Sequence, residues 1–146
     1  MKRFILFLAA VGVLTSGVVA ASSGADGAAA PATLHLVGKQ ITENGPNGRP
    51  HPGSMVVFSG RETGEDRGRS YVQCTLIDRV HGLCLGQFNL ARGTISVETA
   101  IPLEDSPATL VLDITGGTGA YDGARGTATF KDIGKDKTDE TFAFKP

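Results

Sequence analysis

The sequence predicts an all-β protein, a closed antiparallel barrel of eight strands. Apolar residues recur at every second position in short runs, which is the period of a strand, and helical spacing is nowhere sustained. Most segments between the runs are long enough only for antiparallel hairpins, because a parallel crossover needs about a dozen residues or more. About eight strands are also what a closed barrel needs for an interior that is filled by side chains or holds one small ligand.

The predicted strands follow one another in meander order. The first four are Thr33–Thr42, Met55–Glu62, Arg69–Asp78 and Leu83–Leu90. The last four are Thr94–Ile101, Thr109–Thr115, Gly126–Ile133 and Glu140–Lys145. Turn-forming segments such as NGPNGRPHPG, TGEDRG and GKDKTD separate them. Closure into a barrel removes the sheet edges that an open sheet leaves exposed, and a sandwich of two sheets is the alternative.

The N-terminal segment has the layout of a secretory signal. Lys2 and Arg3 precede the apolar run Phe4–Leu14, and small residues ending in VVA follow before Ala21. We therefore predict a signal peptide over residues 1–20, with an uncleaved anchor as the alternative. Residues 21–31, ASSGADGAAAP, have almost nothing to bury and are predicted to be a disordered leader. The barrel domain is predicted over 32–146, secreted and without a membrane segment in its mature form.

Cys74 and Cys84 are the only cysteines in the sequence. A secretory signal places them in an oxidising compartment, which favours a disulfide. If the third and fourth predicted strands pair across DRVHG, the two cysteines lie close to opposite each other. A pair of buried free thiols is the alternative. Two cysteines without a nearby pair of histidines do not indicate a zinc site, so no metal is expected.

Charge and apolar content restrict the partners. The formal net charge is -1 and no basic cluster lies outside the predicted signal, which argues against nucleic-acid binding. Several strands carry adjacent apolar residues, such as Val57 with Phe58 and Val111 with Leu112, which must point to opposite faces. No helix is predicted that could cover the outer face. We therefore expect a homo-oligomer, a dimer or trimer, that buries part of the barrel wall.

The segment DITGGTGAYDGARGTATF, Asp113–Phe130, has the glycine content of a dinucleotide-binding turn. That chemistry requires a helix directly after the glycines, because the helix N-terminus holds the pyrophosphate. Only Ala120–Arg125 separates these glycines from the next predicted strand, so no helix fits. A Walker-type phosphate loop is excluded as well, because no Gly-Lys-Ser/Thr follows.

The same segment resembles the signature of the dirigent and allene oxide cyclase superfamily, GGTG-x-[FY]-x-x-A-[RK]-G. The matching residues are Gly116, Gly117, Thr118, Gly119, Tyr121, Ala124, Arg125 and Gly126. The resemblance extends from about Met55 to Phe144. It implies an eight-stranded, calycin-like antiparallel barrel, usually trimeric in plant members. In that fold the segment is a loop between two strands, with glycines where the backbone needs a positive φ.

The resemblance also implies a function. Members of the superfamily bind apolar or aromatic small molecules inside the barrel and steer their cyclisation or stereoselective coupling, largely by holding one productive conformer. It implies no cofactor. We therefore expect an apolar small molecule as the partner and a cyclase or isomerase as the enzyme class. A barrel that binds without catalysis and a structural extracellular barrel are the alternatives.

Candidate site residues are polar groups in otherwise apolar strands and in the signature loop. Asp113, which interrupts a strongly apolar strand, and Arg125 are the candidate catalytic residues. The candidate ligand-binding residues are Tyr121, Glu98, Gln87 and Tyr71. The glycines expected to shape the loop are Gly116, Gly117, Gly119 and Gly126. For Glu98 and Asp113 the alternative is the outer face, because strand alternation does not reveal which face is inside.

Overall fold

Eight strands in sequence order form a closed antiparallel barrel in the computed structural model, which describes residues 31–102 and 109–146. The first four strands are β1 Thr33–Asn44, β2 Met55–Gly64, β3 Gly68–Leu76 and β4 His81–Leu90. The last four are β5 Gly93–Pro102, β6 Thr109–Gly117, β7 Gly126–Asp132 and β8 Lys137–Phe144. Pairing of β1 with β8 closes the barrel, which confirms the predicted fold class over a two-sheet sandwich.

Each predicted strand has a counterpart, and the ends differ by a few residues. The largest difference is at β8, which begins at Lys137 instead of Glu140 because the polar Thr138 also faces inward. The predicted signal peptide, 1–20, and nearly all of the predicted leader, 21–31, lie outside the described residues. Within the described residues, no helix is long and apolar enough to cross a bilayer.

The core fills one end of the barrel. Strand β4 shows why the chain folds this way, because its residues alternate strictly between exposed and buried from His81 to Leu90. The buried apolar cluster comprises Leu34, Leu36, Phe88, Leu90, Ile95, Val97, Leu112, Ile114, Tyr121, Ala124, Ala128 and Phe142. Phe88 packs edge-on against Phe142, with ring centroids 5.0 Å apart, and stacks on Phe130 at 5.7 Å. The buried cluster fills the end that contains the signature loop.

Cys74 and Cys84 form a disulfide between directly opposite positions of β3 and β4, as predicted. Their side chains belong to the inner face, since Cys84 is buried and the neighbouring Leu83 and Leu85 are exposed. The bond therefore ties two strands together from inside the barrel.

The signature loop between β6 and β7 includes a single turn of 3₁₀ helix, Gly119–Tyr121, which lies at the closed end. Tyr121 is fully buried, and its hydroxyl donates a 2.7 Å hydrogen bond to Oδ2 of Asp66 in the β2–β3 turn. Nε of Arg92, in the β4–β5 turn, lies 3.3 Å from the same oxygen. One carboxylate thus joins three loops that are distant in sequence.

Glycine is required where two of these loops meet. Gly119 has φ +63, and a Cβ atom there would collide with the backbone carbonyl of Arg92. Gly126 also has a positive φ, of +141, whereas Gly116 and Gly117 are not in that region. At Gly117 the reason is close approach, because a Cβ would collide with the carbonyl of Tyr121.

Burial would raise the pKa of Asp66, but hydrogen bonds from Tyr121, from the backbone amides of Arg67 and Arg92, and from the Arg92 side chain outweigh it. The pKa of Asp66 therefore lies below its usual value. Burial and the bond to Asp66 raise the pKa of Tyr121 to about 12. At neutral pH the closed end holds a neutral tyrosine and an ionised aspartate, which is the state that a stable hydrogen bond requires.

The outer wall carries a row of four cations on neighbouring strands, which we call the cationic row. Its members are Arg69 on β3, Arg61 on β2, Lys39 on β1 and Lys137 on β8, and all four are exposed. In register, Arg61 is directly opposite both Arg69 and Lys39, and Lys39 is directly opposite Lys137. None of the four forms a salt bridge with a carboxylate in the described part of the chain. The sequence shows no such cluster because its members are far apart in the chain.

Candidate functional site

A cavity of about 720 Å³ occupies the half of the barrel opposite the signature loop. It forms there because the inward side chains of that half are only half-buried, whereas those of the other half pack completely. Its apolar wall comprises Val56, Phe58, Val72, Leu76, Phe88, Ile101, Leu110, Leu112, Phe130 and the disulfide. A volume between about 300 and 1,000 Å³ is typical of sites for drug-sized ligands.

Two glutamates lie at the inner end of this cavity. Glu62 on β2 and Glu140 on β8 are 1% and 4% exposed, and both line the cavity. Strand β1 runs between their strands, and Gly38 is directly opposite Glu62 on one side and Thr138 on the other. A Cβ atom at Gly38 would collide with Oε1 of Glu140 and would lie 2.9 Å from Oε2 of Glu62. The missing side chain at Gly38 therefore provides the space in which the two carboxyl groups meet.

A second glycine makes room for Glu62 on its other side. A Cβ atom at Gly60 would lie 2.5 Å from Oγ of Ser70 and 2.9 Å from Oε1 of Glu62. Gly60 is directly opposite Ser70 across β2 and β3, so the serine hydroxyl and the glutamate approach each other over it. Two glycines and one small polar residue thus surround the carboxyl pair.

Most of the oxygen atoms of the pair are not hydrogen-bonded. Oε1 of Glu140 accepts a 2.8 Å bond from the hydroxyl of Thr138. Both oxygens of Glu62 and Oε2 of Glu140 are buried and accept no hydrogen bond from a described residue. Buried polar atoms without partners are uncommon in proteins, because each one loses its hydration without compensation. The pair is therefore short of donors.

The two carboxyl groups hold a proton at neutral pH. Burial raises the pKa of Glu140 to about 9, and the neighbouring charge of Glu62 adds to this effect. Burial also raises the pKa of Glu62, and the nearby Ser70 hydroxyl and Glu140 carboxyl offset only part of the rise. Two adjacent carboxylates repel each other, so one proton stays with the pair when the first group ionises.

No cation forms a salt bridge with Glu62 or Glu140 in the described part of the chain. Lys39 and Arg61 adjoin Gly38 and Glu62 in sequence, but alternation directs their side chains to the outer wall. The hydroxyl residues Ser70 and Thr138 also line the cavity, as do Lys39, Lys135 and Lys137. In residues 31–102 and 109–146, no group of three or more His, Cys, Asp or Glu side chains is arranged to hold a metal ion.

Four of the predicted site residues lie on the outer wall, away from the cavity. Asp113 and Glu98 are directly opposite each other on β6 and β5, and both are exposed. Tyr71 and Gln87 are directly opposite each other on β3 and β4 and border a shallow outer groove. These four side chains point outward because side chains alternate between the two faces of a strand, and their neighbours, such as Leu112 and Val97, fill the core. The interior position that we expected for Asp113 is therefore taken by other residues.

The two candidate residues of the signature loop lie at the closed end. Tyr121 is in the core below the cavity and is not part of its lining. Arg125 is exposed, and its Nη1 donates a 2.7 Å bond to the carbonyl of Ala124. The buried carboxylate at this end is Asp66, which contacts Tyr121 and Arg92. In this structure the signature loop closes the barrel and does not line the cavity.

Sequence reasoning missed Glu62 and Glu140, although a signal for each was present. Glu62 continues the inward alternation of Val56, Phe58 and Gly60 in the run MVVFSGRE. Glu140 has the same parity as Phe142, which is fully buried. An acidic residue in register with core residues is the pattern that identifies an interior carboxyl group.

No protein-family model matches the sequence, and no curated protein matches it. Solved structures do share its fold. A pyocyanin demethylase superposes with a TM-score of 0.68 at 20% identity, over 77% of this chain and 99% of the other. An exo-specific intermolecular Diels-Alderase superposes with a TM-score of 0.61 at 15% identity, over 75% of this chain and 92% of the other. A pterocarpan synthase dirigent protein superposes with a TM-score of 0.58 at 20% identity, over 75% of this chain and 84% of the other. The chain therefore has the dirigent-like barrel fold that its signature loop predicts.

Proposed function

We propose that the barrel binds an apolar or aromatic small molecule in its interior cavity and steers the cyclisation or stereoselective coupling of that molecule. The observation that carries this proposal is the combination of a mostly apolar cavity with the buried pair Glu62 and Glu140 at its inner end. A passive apolar container needs no carboxyl groups, whereas a site that moves protons does.

The pair has the means to transfer protons without a cofactor. The carboxyl group that holds the proton donates it to a ligand atom that gains negative charge. The ionised partner accepts a proton from another position of the ligand, so the pair again holds one proton after the step. Proton transfer by a positioned side chain contributes about 10²–10⁴-fold to a reaction rate. The apolar wall excludes water and restricts the ligand to few conformers, which lowers the entropic part of the barrier.

The structural neighbours are compatible with this use of the fold. By their names they act as a demethylase, a Diels-Alderase and a pterocarpan synthase dirigent protein, all on small molecules. Their identity to this chain is 15–20%, so they support a reaction inside the barrel without indicating which one. We also propose that the protein acts outside the cytoplasm, with which the Cys74–Cys84 disulfide is compatible.

The binding site is tested with a neutral apolar dye, N-phenyl-1-naphthylamine. We expect one dye molecule to bind per chain, and we expect Val72→Trp to weaken binding at least tenfold because the indole fills the cavity. Val111→Trp is the matched control, since Val111 is exposed on the outer wall of β6. Cooperative thermal unfolding of both variants verifies that they fold. Dye binding that is unchanged in Val72→Trp contradicts the proposal.

Catalysis is separated from binding by Glu140→Gln, which keeps the shape of the side chain and removes its proton chemistry. The test ligand is the small molecule that co-purifies with the protein from its own host, identified by native mass spectrometry. Loss of turnover with retained binding in Glu140→Gln supports a steered reaction. Binding without turnover by the unmodified protein supports the alternative of a binding barrel without catalysis.

We also propose that a second copy of the chain covers part of the outer wall. An uncharged patch on β2, β3 and β4 comprises Met55, Val57, Tyr71, Gln73, Leu83, Leu85 and Gln87. Such a patch suits self-association, because pairing it with its own copy brings no like charges together. The side-chain amides of Gln73 and Gln87 can also both donate and accept hydrogen bonds. Sedimentation should show an oligomer that Leu85→Glu dissociates and Val111→Glu does not. A monomeric unmodified protein contradicts this interface.

A further inference from the structure

We infer that the ligand of the cavity carries a protonated nitrogen on its apolar body, and that Glu62 and Glu140 bind this group. The chemical class is an arylalkyl or alicyclic amine, or a protonated nitrogen heterocycle. The inference rests on the proposed function, because it requires that the cavity binds a small molecule.

The carboxyl pair is short of hydrogen-bond donors. Three buried oxygens of the pair accept no bond from a described residue, and they line a cavity that is large enough for a ligand. One proton shared between the carboxyl groups satisfies some of them and leaves others without a donor. The inward neighbours offer one further donor, the hydroxyl of Ser70, since the hydroxyl of Thr138 is already engaged with Glu140. A ligand with N–H groups supplies what the wall lacks.

The charge of the carboxyl pair also favours a cationic ligand. When one of the two carboxyl groups is ionised the pair has one negative charge, and no lysine, arginine or histidine of the described residues forms a salt bridge with it. Lys39, Lys135 and Lys137 border the cavity without forming such a bridge. An isolated buried charge is costly unless an opposite charge compensates it. A cationic ligand compensates this charge, and an anionic ligand adds a second negative charge to the same buried place. The pair therefore selects ligands by the sign of their charge.

The chain makes space for the carboxyl pair at two positions. Gly38 and Gly60 are inward positions at which any side chain would displace the carboxyl groups or Ser70. The buried core at the other end of the barrel is apolar, and replacing buried ionisable pairs by packed apolar residues is often neutral or stabilising. A pair that costs stability and is surrounded by glycines is better explained by a ligand than by the fold.

The test uses three ligands that share one ring system: 2-naphthylmethylammonium, 2-naphthylmethanol and 2-naphthoate. We expect calorimetry at pH 7 to show that the ammonium compound binds at least tenfold more tightly than the alcohol and that the carboxylate binds most weakly. An alcohol that binds as tightly as the ammonium compound overturns the inference.

Variants connect the preference to the pair. The double variant Glu62→Gln with Glu140→Gln keeps the shape of both side chains, so the preference for the ammonium compound should fall to less than twofold while the alcohol still binds. Asp122→Asn, at an exposed position near the closed end, is the control for loss of negative charge and should keep the full preference. A preference that persists in the double variant overturns the inference.

The same measurements distinguish this inference from the proposed function. If N-phenyl-1-naphthylamine enters the cavity and the ammonium compound shows no advantage, the cavity binds small molecules but the inferred ligand class is wrong. If neither the dye nor any naphthalene compound binds, the proposed function is contradicted, and this inference is overturned with it.

Discussion

Glu62 and Glu140 stand on opposite sides of β1, and their buried carboxyl groups meet above Gly38, whose missing side chain leaves the room for them. Three strands therefore determine one chemical feature. The glutamates supply the acid–base groups, and the glycine supplies the space. The apolar residues around them make the pair costly to ionise, which keeps a proton inside the barrel at neutral pH.

The stability of the protein should fall as the pH rises from about 5 to about 9. Glu140 in the unfolded chain loses its proton near pH 4.5, whereas in the fold its pKa is raised to about 9. Between these values deprotonation stabilises only the unfolded chain, so the free energy of unfolding decreases by up to about 1.4 kcal/mol per pH unit. Glu140→Gln should flatten this slope in urea titrations, and Asp122→Asn should leave it unchanged. A slope that is equal in Glu140→Gln and the unmodified protein contradicts the buried pair.

Gly38→Ala should destabilise the barrel by about 1–3 kcal/mol, because the added methyl group overfills the place where the carboxyl groups meet. Glu140→Ala should relieve part of this loss, since it removes the oxygen that the methyl group strikes. A double-mutant cycle in urea measures the coupling. Gly45→Ala is the control, because the nearest atoms to a Cβ there are side-chain methyls of Val56 at 3.8 and 3.9 Å. Additive losses for Gly38→Ala and Glu140→Ala would show that the two positions do not meet.

Tyr121→Phe should lower the free energy of unfolding by about 1–3 kcal/mol, because it removes the hydroxyl that donates to the buried carboxylate of Asp66. Tyr71→Phe is the matched control, since the Tyr71 side chain is exposed on the outer wall. Chemical denaturation of both variants provides the measurement. Equal losses in the two variants would contradict a structural role of the closed end.

Arg61→Gln should stabilise the protein at low ionic strength, because Arg61 is directly opposite two other cations of the cationic row. Like charges in directly opposite positions of neighbouring strands are destabilising. The unmodified protein should gain stability with added salt, and Arg61→Gln should gain less, since screening weakens the repulsion. Arg79→Gln, outside the strands, is the control. A lower melting temperature for Arg61→Gln at low salt would contradict the prediction.

Much of the fold could be predicted from the sequence, because strand alternation and short turns are local signals. The eight strands, their meander order and the Cys74–Cys84 bond were all accessible in this way. The interior was harder to predict, because alternation does not say which face is inside. Asp113 interrupts an apolar strand but points outward, whereas Glu62 looks like an ordinary strand end and points inward. The pair itself depends on register across β1, which no local pattern contains.

A crystal structure of the complex with N-phenyl-1-naphthylamine tests most directly whether the interior is a ligand site. We predict the dye inside the barrel, packed against Phe88 and Phe130, with its N–H group directed toward Glu62 and Glu140. The shallow outer groove beside Val57 and Leu85 offers the dye an alternative apolar surface. Dye bound only in that groove, with the interior unchanged, would contradict the assignment of the cavity.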